Sequence, residues 1–223
     1  MIRIAHLQYL DELIVDEEKG PETVVYENGT LFRQVVCELN RQKENMGGGF
    51  TVCDEKYNEI NIYESVTLLS DILRPDLNDR KFKTRLLKLL NEDAEIREEI
   101  FPIIGKMSEL GNSICMKSNL DLSCNLMLTN EDILKILDFK IDLTGYDELE
   151  TIIIYIKTCQ ELMNHKAVIT VNLKDYLDVP DFTELIKEVC NLKIPFLMIE
   201  RHTHDKLDDP EHLRIVDQDL CVI

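Results

Sequence analysis

The sequence predicts an α/β fold in which a sheet is interrupted by a long helical excursion. Three observations predict it. Lys166–Asn172 (Lys-Ala-Val-Ile-Thr-Val-Asn) is short, apolar and β-branched, with charge only at its edge. That is the composition of a strand buried on both faces, as inside a parallel sheet. Beyond it, Asp181 precedes helical spacing over Phe182–Cys190 (Phe182, Leu185, Ile186, Val189), and Ile194–Ile199 is a second apolar run. Strand, crossover helix and strand form a βαβ unit. Finally, the hydrophobic period changes from two to helical near Leu68 and stays helical to about residue 163. In nucleotide-hydrolysing folds such a central strand often delivers an acidic residue to a metal-bound phosphate; here it ends in Asn172.

Ile2–Gln8 alternates, with Ile2, Ile4 and His6 on one face and Arg3, Ala5 and Leu7 on the other, and reads as the first strand. Leu13–Val15 and Thr23–Tyr26 flank the turn-rich Asp16–Pro21 and read as a hairpin. Asn28-Gly29-Thr30 opens a helix from Leu31 to about Arg41. Gly47-Gly48-Gly49 turns into a strand at Phe50–Asp54, and a second turn leads to Ile60–Tyr63. Asn78 or Asp79 caps a helix through Leu90, and Asn91 caps another through about Met116. Pro102 has no N–H to donate, so a kink is expected there. Thr129 heads a capping-box-like turn with Asp132, followed by a short helix to Leu137. Leu149, Ile152, Ile153, Ile156, Cys159 and Leu162 form the core stripe of a helix from about Asp147 to Met163. Leu213–Val216 is a last strand, and Leu220–Ile223 extends the edge. The expected domains are a discontinuous α/β head, residues 1–75 and 164–223, and a helical arm, residues 76–163.

Composition bounds the function. A chain of 223 residues with 44% apolar content builds one large domain or two intimate ones. It has no run of 18 apolar residues, so no membrane span is expected. Met1-Ile2-Arg3-Ile4 lacks the basic-then-apolar plan of a signal peptide, and a cytoplasmic protein is expected. Seven cysteines without any Cys-x-x-Cys read as reduced, mostly buried thiols rather than a disulfide or zinc framework. The net charge of −18 opposes indiscriminate binding to nucleic acid or anionic membrane. It leaves room for a locally basic surface, and it leaves carboxylates that suit a hard cation.

Four stretches bear on chemistry. Gly47-Gly48-Gly49 and Glu27-Asn28-Gly29-Thr30 suggest phosphate loops, but the Gly-Lys-Ser/Thr of a working loop is absent; the one Gly-Lys, Gly105-Lys106, continues into Met107. No nucleotide-hydrolysing enzyme is expected. The run Asp79–Lys88 places Arg80, Lys81, Lys83, Arg85 and Lys88 on one helix, with Lys81, Arg85 and Lys88 on one side and Phe82, Leu86 and Leu87 inward. It is either a phosphate-tracking face or a solvated face pairing with the acidic stretch Glu92–Glu99. Asn119, Asp121, Asn125, Asn130, Glu131 and Asp132 offer oxygen ligands at short spacing, suited to calcium, or a turn with a helix cap. His202, His204 and Asp205, with His212 nearby, read as a solvated loop rather than a metal site.

Four passages together resemble the ring-forming type II-A CRISPR adaptation proteins, the Csn-two family. They are Gly29-Thr30-Leu31-Phe32-Arg33; Leu68-Leu69-Ser70-Asp71 leading through Asp76-Leu77-Asn78; Asn119-Leu120-Asp121-Leu122 followed by Leu128–Leu134; and Val168–Leu173 followed by Tyr176-Leu177. Length and element order agree over essentially the whole chain. The resemblance implies a degenerate ATPase-like sheet core without nucleotide chemistry and an inserted all-helical arm. It implies a homotetrameric ring around double-stranded DNA, stabilised by calcium. Such a ring threads onto DNA ends and supports spacer acquisition beside the integrase complex and the RNA-guided effector nuclease. On this reading Arg80, Lys81, Lys83, Arg85 and Lys88 lead as channel-wall residues, followed by Arg33, Lys135 and Lys140. Asn119, Asp121, Asn125, Glu131 and Asp132 are the candidate calcium ligands, with Asp121 and Glu131 foremost. The sequence departs from the family here, because the acidic richness expected after Asp121 is thinned to Ser123-Cys124-Asn125. Two other readings compete: a divergent phosphotransferase or nucleotidase on the same core, and a protein-binding scaffold without DNA affinity.

Overall fold

The computed structural model describes residues 1–6, 8, 10–70 and 75–223. The chain divides into two compact units, Met1–Pro75 with Leu143–Ile223, and Asp76–Asp142. The first opens with β1 (Ile2–His6), β2 (Leu10–Val15), β3 (Glu22–Tyr26), α1 (Gly29–Lys43), β4 (Phe50–Cys53), α2 (Ile62–Ser65) and β5 (Val66–Leu69). The second holds α3 (Arg80–Glu92), α4 (Ala94–Lys117) and α5 (Asn130–Leu137). The chain then returns to the first unit for α6 (Glu148–Met163), β6 (Ala167–Val171), α7 (Val179–Leu192), β7 (Phe196–Glu200) and β8 (Leu213–Val216).

The first unit is an α/β fold built around a five-stranded parallel sheet, β5-β6-β7-β3-β8. Every residue of β6 and β7 is buried. On these strands Ala167, Ile169, Leu197 and Ile199 face one core, and Val168, Phe196 and Met198 face another. The first core also takes in α1 and a three-stranded antiparallel sheet, β2-β1-β4. The second is closed by α6 and α7 through Ile152, Ile156, Leu185 and Val189. The unit is therefore layered, with a doubly covered parallel sheet in the middle. Each fully buried Ile or Val side chain there contributes roughly 1.5–3 kcal/mol. The second unit is smaller. Its buried centre is Ile100, Ile133 and Leu134, with Leu87, Leu90, Ile96 and Ile104 packed against it.

Several expectations need correcting. The hairpin between Leu13–Val15 and Thr23–Tyr26 does not form. β2 pairs antiparallel with β1, Val15 opposite Ile2, while β3 runs parallel to β7 and β8 in the other sheet. The reason is visible in burial: β2 alternates, whereas Thr23–Tyr26 is buried throughout, as a central parallel strand must be. Ile60–Tyr63 is not extended throughout; Asn61 caps α2, and the strand comes later, at β5. Gln8 lies beyond the end of β1. Leu7, expected in that strand, and Asp71, within one passage of the family resemblance, lie outside the described residues. Asp93 rather than Asn91 caps α4, accepting from the amides of Glu95 and Ile96, and the helix continues through Pro102. α7 begins at Val179, capped by Asp178, so Asp181 lies inside its first turn rather than before the helix. The head resumes at Leu143 rather than at residue 164, because the apolar stripe of α6 packs with Val168 and Phe196 in one core. The thiols are free but not mostly buried: Cys159 is buried, Cys53 and Cys115 are half-buried, and Cys37, Cys124, Cys190 and Cys221 are exposed. Leu220–Ile223 does return to the edge, where Ile215 and Ile223 exchange backbone hydrogen bonds.

Candidate nucleic-acid interface

α3 is fixed by its cap and by one buried aromatic ring. Asp79 accepts from the amides of Lys81 (2.7 Å) and Phe82 (2.9 Å), and Phe82 is buried. Helical geometry then sets Arg80 opposite Phe82 and spreads the other cations to either side of it. Arg80, Arg85 and Lys88 are exposed, while Lys81 and Lys83 are half-buried. Among the described residues the helix itself contributes no carboxylate until Glu92, which lies 3.8 Å from Lys88 Nζ. Lys83 Nζ lies 3.4 Å from Asp138, and Lys140 Nζ lies 2.8 Å from the same carboxylate. The two lysines, from α3 and from the segment after α5, are thus gathered at one point, and they hold the Asp138 carboxyl below its usual range. Lys135 pairs with Glu131 one turn back on α5, at 2.6 Å. Arg33 is exposed on α1 of the first unit.

The candidate cation ligands have mixed surroundings. Asp132 completes a capping box: its Oδ2 accepts from Thr129 N (2.8 Å) and Thr129 Oγ1 (2.7 Å), while Thr129 Oγ1 accepts from Asp132 N (3.2 Å). Those hydrogen bonds lower its pKa. Glu131 is engaged by Lys135. Asn125 Oδ1 accepts from Met127 N at 2.9 Å in a local turn. Asn119 and Asp121 are exposed, and Asn130 is the first residue of α5. Among the described residues no three His, Cys, Asp or Glu side chains converge to hold a metal ion. Asp132→Ala is expected to cost about 0.5–1 kcal/mol through the lost reciprocal half of the capping box, since Thr129 keeps its own bond, seen as a lower melting temperature of equal size with calcium or with chelator. A loss that appears only with calcium would assign Asp132 to the cation instead.

The turn where a phosphate loop would sit is closed by the chain itself. Asn28 Oδ1 accepts from Thr30 N (3.0 Å) and Leu31 N (3.2 Å), meeting two orphan amides of α1. Gln218 Nε2 donates to Glu27 O at 2.7 Å, and Asn28 Nδ2 donates to Gln218 O at 3.3 Å. Arg201 Nη1 donates to Tyr26 O at 3.1 Å, and a Cβ on Gly29 would stand 3.2 Å from Arg201 Nη2. Gly48 and Gly49 serve packing: a Cβ on Gly48 would collide with the Gln42 side chain and one on Gly49 with His6 Nε2, and Gly49 N donates to Glu38, which also meets His6 at 2.9 Å.

A buried ionic cluster has no counterpart among the sequence motifs. Lys174, almost inaccessible after β6, donates through Nζ to Asp208 and to Thr23 Oγ1 (3.0 Å). Its backbone N donates to Glu200 Oε1 at 3.3 Å. Glu200 is fully buried, and burial pushes its pKa up to about 7. Asp208 Oδ2 also accepts from His204 N at 2.6 Å. His212 meets Glu22 at 3.2 Å and His204 lies 3.4 Å from Asp175, so these two histidines face separate carboxylates. The available signal was Lys174-Asp175 directly after an apolar strand, a place where a lysine is hard to keep solvated.

Known proteins supply the rest. The family described as CRISPR-associated protein (Cas_Csn2) matches residues 44–220. The chain belongs to this CRISPR-associated family, the one that the sequence resembles, and its role lies in CRISPR adaptation. Three of the four resembling passages fall inside the matched span; Gly29–Arg33 precedes it. Among solved structures the chain is similar to an ATP-binding cassette of an ABC transporter in its ADP conformation, at 16% identity over 96% of this chain and 86% of that one, TM-score 0.46. It is also similar to a bacterial Atm1-family ABC exporter with ATP bound, at 8% identity over 97% of this chain and 37% of that one, TM-score 0.45. No helix among the described residues is long and apolar enough to cross a membrane.

Proposed function

We propose that the protein is a non-enzymatic clamp for double-stranded DNA ends. Four copies form a ring, calcium supports the assembly, and the ring binds duplex without reading sequence. It supports spacer acquisition beside the CRISPR integrase complex and the RNA-guided effector nuclease. The observation that carries this reading is α3: five cations between Arg80 and Lys88 in a chain of net charge −18, three of them exposed. Cations on one face suit phosphates, which carry no sequence information.

Two further observations support it. The second unit exposes large apolar side chains, including Phe101 (78%), Met116 (87%), Leu120 (71%) and Met127 (87%). Apolar surface of that kind marks an interaction site, and a second copy of the chain is the occupant this reading assigns. Asn28 already occupies α1 amides that a bound nucleotide would need, which favours binding over catalysis. Asn119 and Asp121 remain the most open oxygen donors for calcium. The net charge itself favours a second reading, a scaffold that meets proteins alone.

The test is a mobility shift with linear and closed-circular duplex of one sequence, in calcium and in chelator. The expected result is binding to linear DNA only, weakened in chelator. Equal binding to both forms would remove the closed ring. Binding to neither would leave the scaffold.

A further inference from the structure

The residue that closes α5 is not the one helix stability favours. Asp138 takes up the left-handed region there (φ 44°, ψ 55°), where glycine or asparagine is the usual residue. Its backbone N–H meets Lys135 O, a bond that any residue but proline supplies. Its charge stands at the negative end of the helix dipole, where a carboxylate is unfavourable. Two lysines meet that charge, one from α3 and one from the segment after α5. Lys83 Nζ lies 3.4 Å from Oδ1, and Lys140 Nζ lies 2.8 Å from Oδ2. The second lysine is held near α3 by its neighbour. Asn78, just before that helix, donates through Nδ2 to Ile141 O at 3.0 Å and accepts through Oδ1 from Ile141 N at 2.9 Å.

We infer that Lys83 and Lys140 form a phosphate site which the chain keeps filled with its own carboxylate, Asp138, and that a DNA phosphate enters by displacing it. The inference deepens the clamp reading and rests on it for its ligand. Each ammonium takes a different carboxylate oxygen. Two donors share the two non-bridging oxygens of one phosphodiester in the same way. Lysine meets phosphate as a point charge, so the exchange needs no planar group to be re-aimed. Two ammonium groups and one carboxylate leave a net positive charge, so a polyanion is still drawn to the closed site. Asp138 and Lys140 are exposed and Lys83 is half-buried, and contacts between such charges are weak enough to exchange. Arg80 lies three residues before Lys83 on α3, and so beside it, and is exposed. A duplex held first by Arg80 presents its next phosphate to Asp138 at high effective concentration.

The test titrates linear duplex into four full-length chains at several salt concentrations. They are the parent, Asp138→Asn, Lys83→Ala with Lys140→Ala, and the chain with all three changes. Asparagine suits the left-handed position and keeps the bond to Lys135 O, so the melting temperature of Asp138→Asn should not fall. Near physiological salt Asp138→Asn should bind duplex at least about fivefold more tightly, with a log–log salt slope steeper by about 0.9 for each phosphate gained. That gain should vanish when both lysines are alanine. A gain that survives without the lysines would reflect only the lost negative charge and would overturn the inference. Unchanged affinity in Asp138→Asn beside a parent that binds would overturn it and leave the clamp reading standing. A lower melting temperature with unchanged binding would make the two contacts a brace for the end of α5, and the inference would fall. Binding by Asp138→Asn but not by the parent would support a site closed by its own carboxylate. Binding by neither would overturn the clamp reading and this inference together.

Discussion

Arg80→Glu with Arg85→Glu is expected to weaken duplex DNA binding by about a thousandfold near physiological salt, while the chain stays folded. Both residues are exposed on α3, so neither change disturbs a buried contact. Glutamate is a good helix former, and at the first helical position it complements the helix dipole. Each reversal removes a cation and adds repulsion toward phosphate. In a ring of four subunits, every change is made four times. The dependence of log affinity on log salt should also flatten, by about 0.9 for each phosphate that the variant no longer neutralises. Lys83→Glu would be a poorer probe, because Lys83 also meets Asp138. Titration of linear duplex at several salt concentrations reads both quantities. An unchanged affinity and slope would remove α3 from the DNA surface. Intact binding elsewhere on the chain would then be sought first at Arg33 and Lys140.

Lys174→Met is expected to lower stability by about 3–5 kcal/mol. Methionine keeps much of the lysine's length and apolar stem but removes the charge. Asp208 and Thr23 then lose the donor that meets them in the interior. Urea unfolding of the first unit's sheet measures the effect, and a loss under about 1 kcal/mol would mean that water replaces the ammonium at no cost. Glu200 adds a pH signature. Its pKa is raised from 4.5 to about 7, so between those values the folded state holds a proton that the unfolded state has released. The associated stability is full below about 4.5 and is lost as pH rises through 7. Glu200→Gln should therefore match the parent near pH 5 and exceed it by roughly 3 kcal/mol near pH 8. A gap that does not change with pH would show that Glu200 titrates normally in the folded state.

Some elements were legible because their information is local. Val168–Val171 and Phe196–Ile199 announce strands buried on both faces through unbroken apolar, largely β-branched sequence. Thr129 and Asp132 announce a capping box because the two partners sit three residues apart, and that box forms. Asp79 caps α3 where its spacing predicts, so the basic stripe can be placed on a helix from local sequence. The candidate sites were less legible. Nothing in the local sequence says that Asp138 gathers Lys83 from α3 beside Lys140.

The failures share one cause. Asp16–Pro21 is turn-rich in either topology, so the sequence could not say whether the flanking strands pair with each other or part into two sheets. β5 was hidden because Val66–Leu69 is only four residues long, with Thr67 among its apolar residues, next to a helical pattern. α6 reads as one more helix of the arm; only its contact with Val168 and Phe196 assigns it to the head.

By itself, then, the sequence determined the α/β class, the βαβ unit, the position of the basic helix and a charge of −18 that any DNA surface must overcome. Tertiary structure alone decided which sheet takes β3 and where Lys174 finds its carboxylate. The physical reason is range. Periodicity, capping and β-branching act within a few residues, whereas a buried lysine is defined by a partner that only the folded chain brings near.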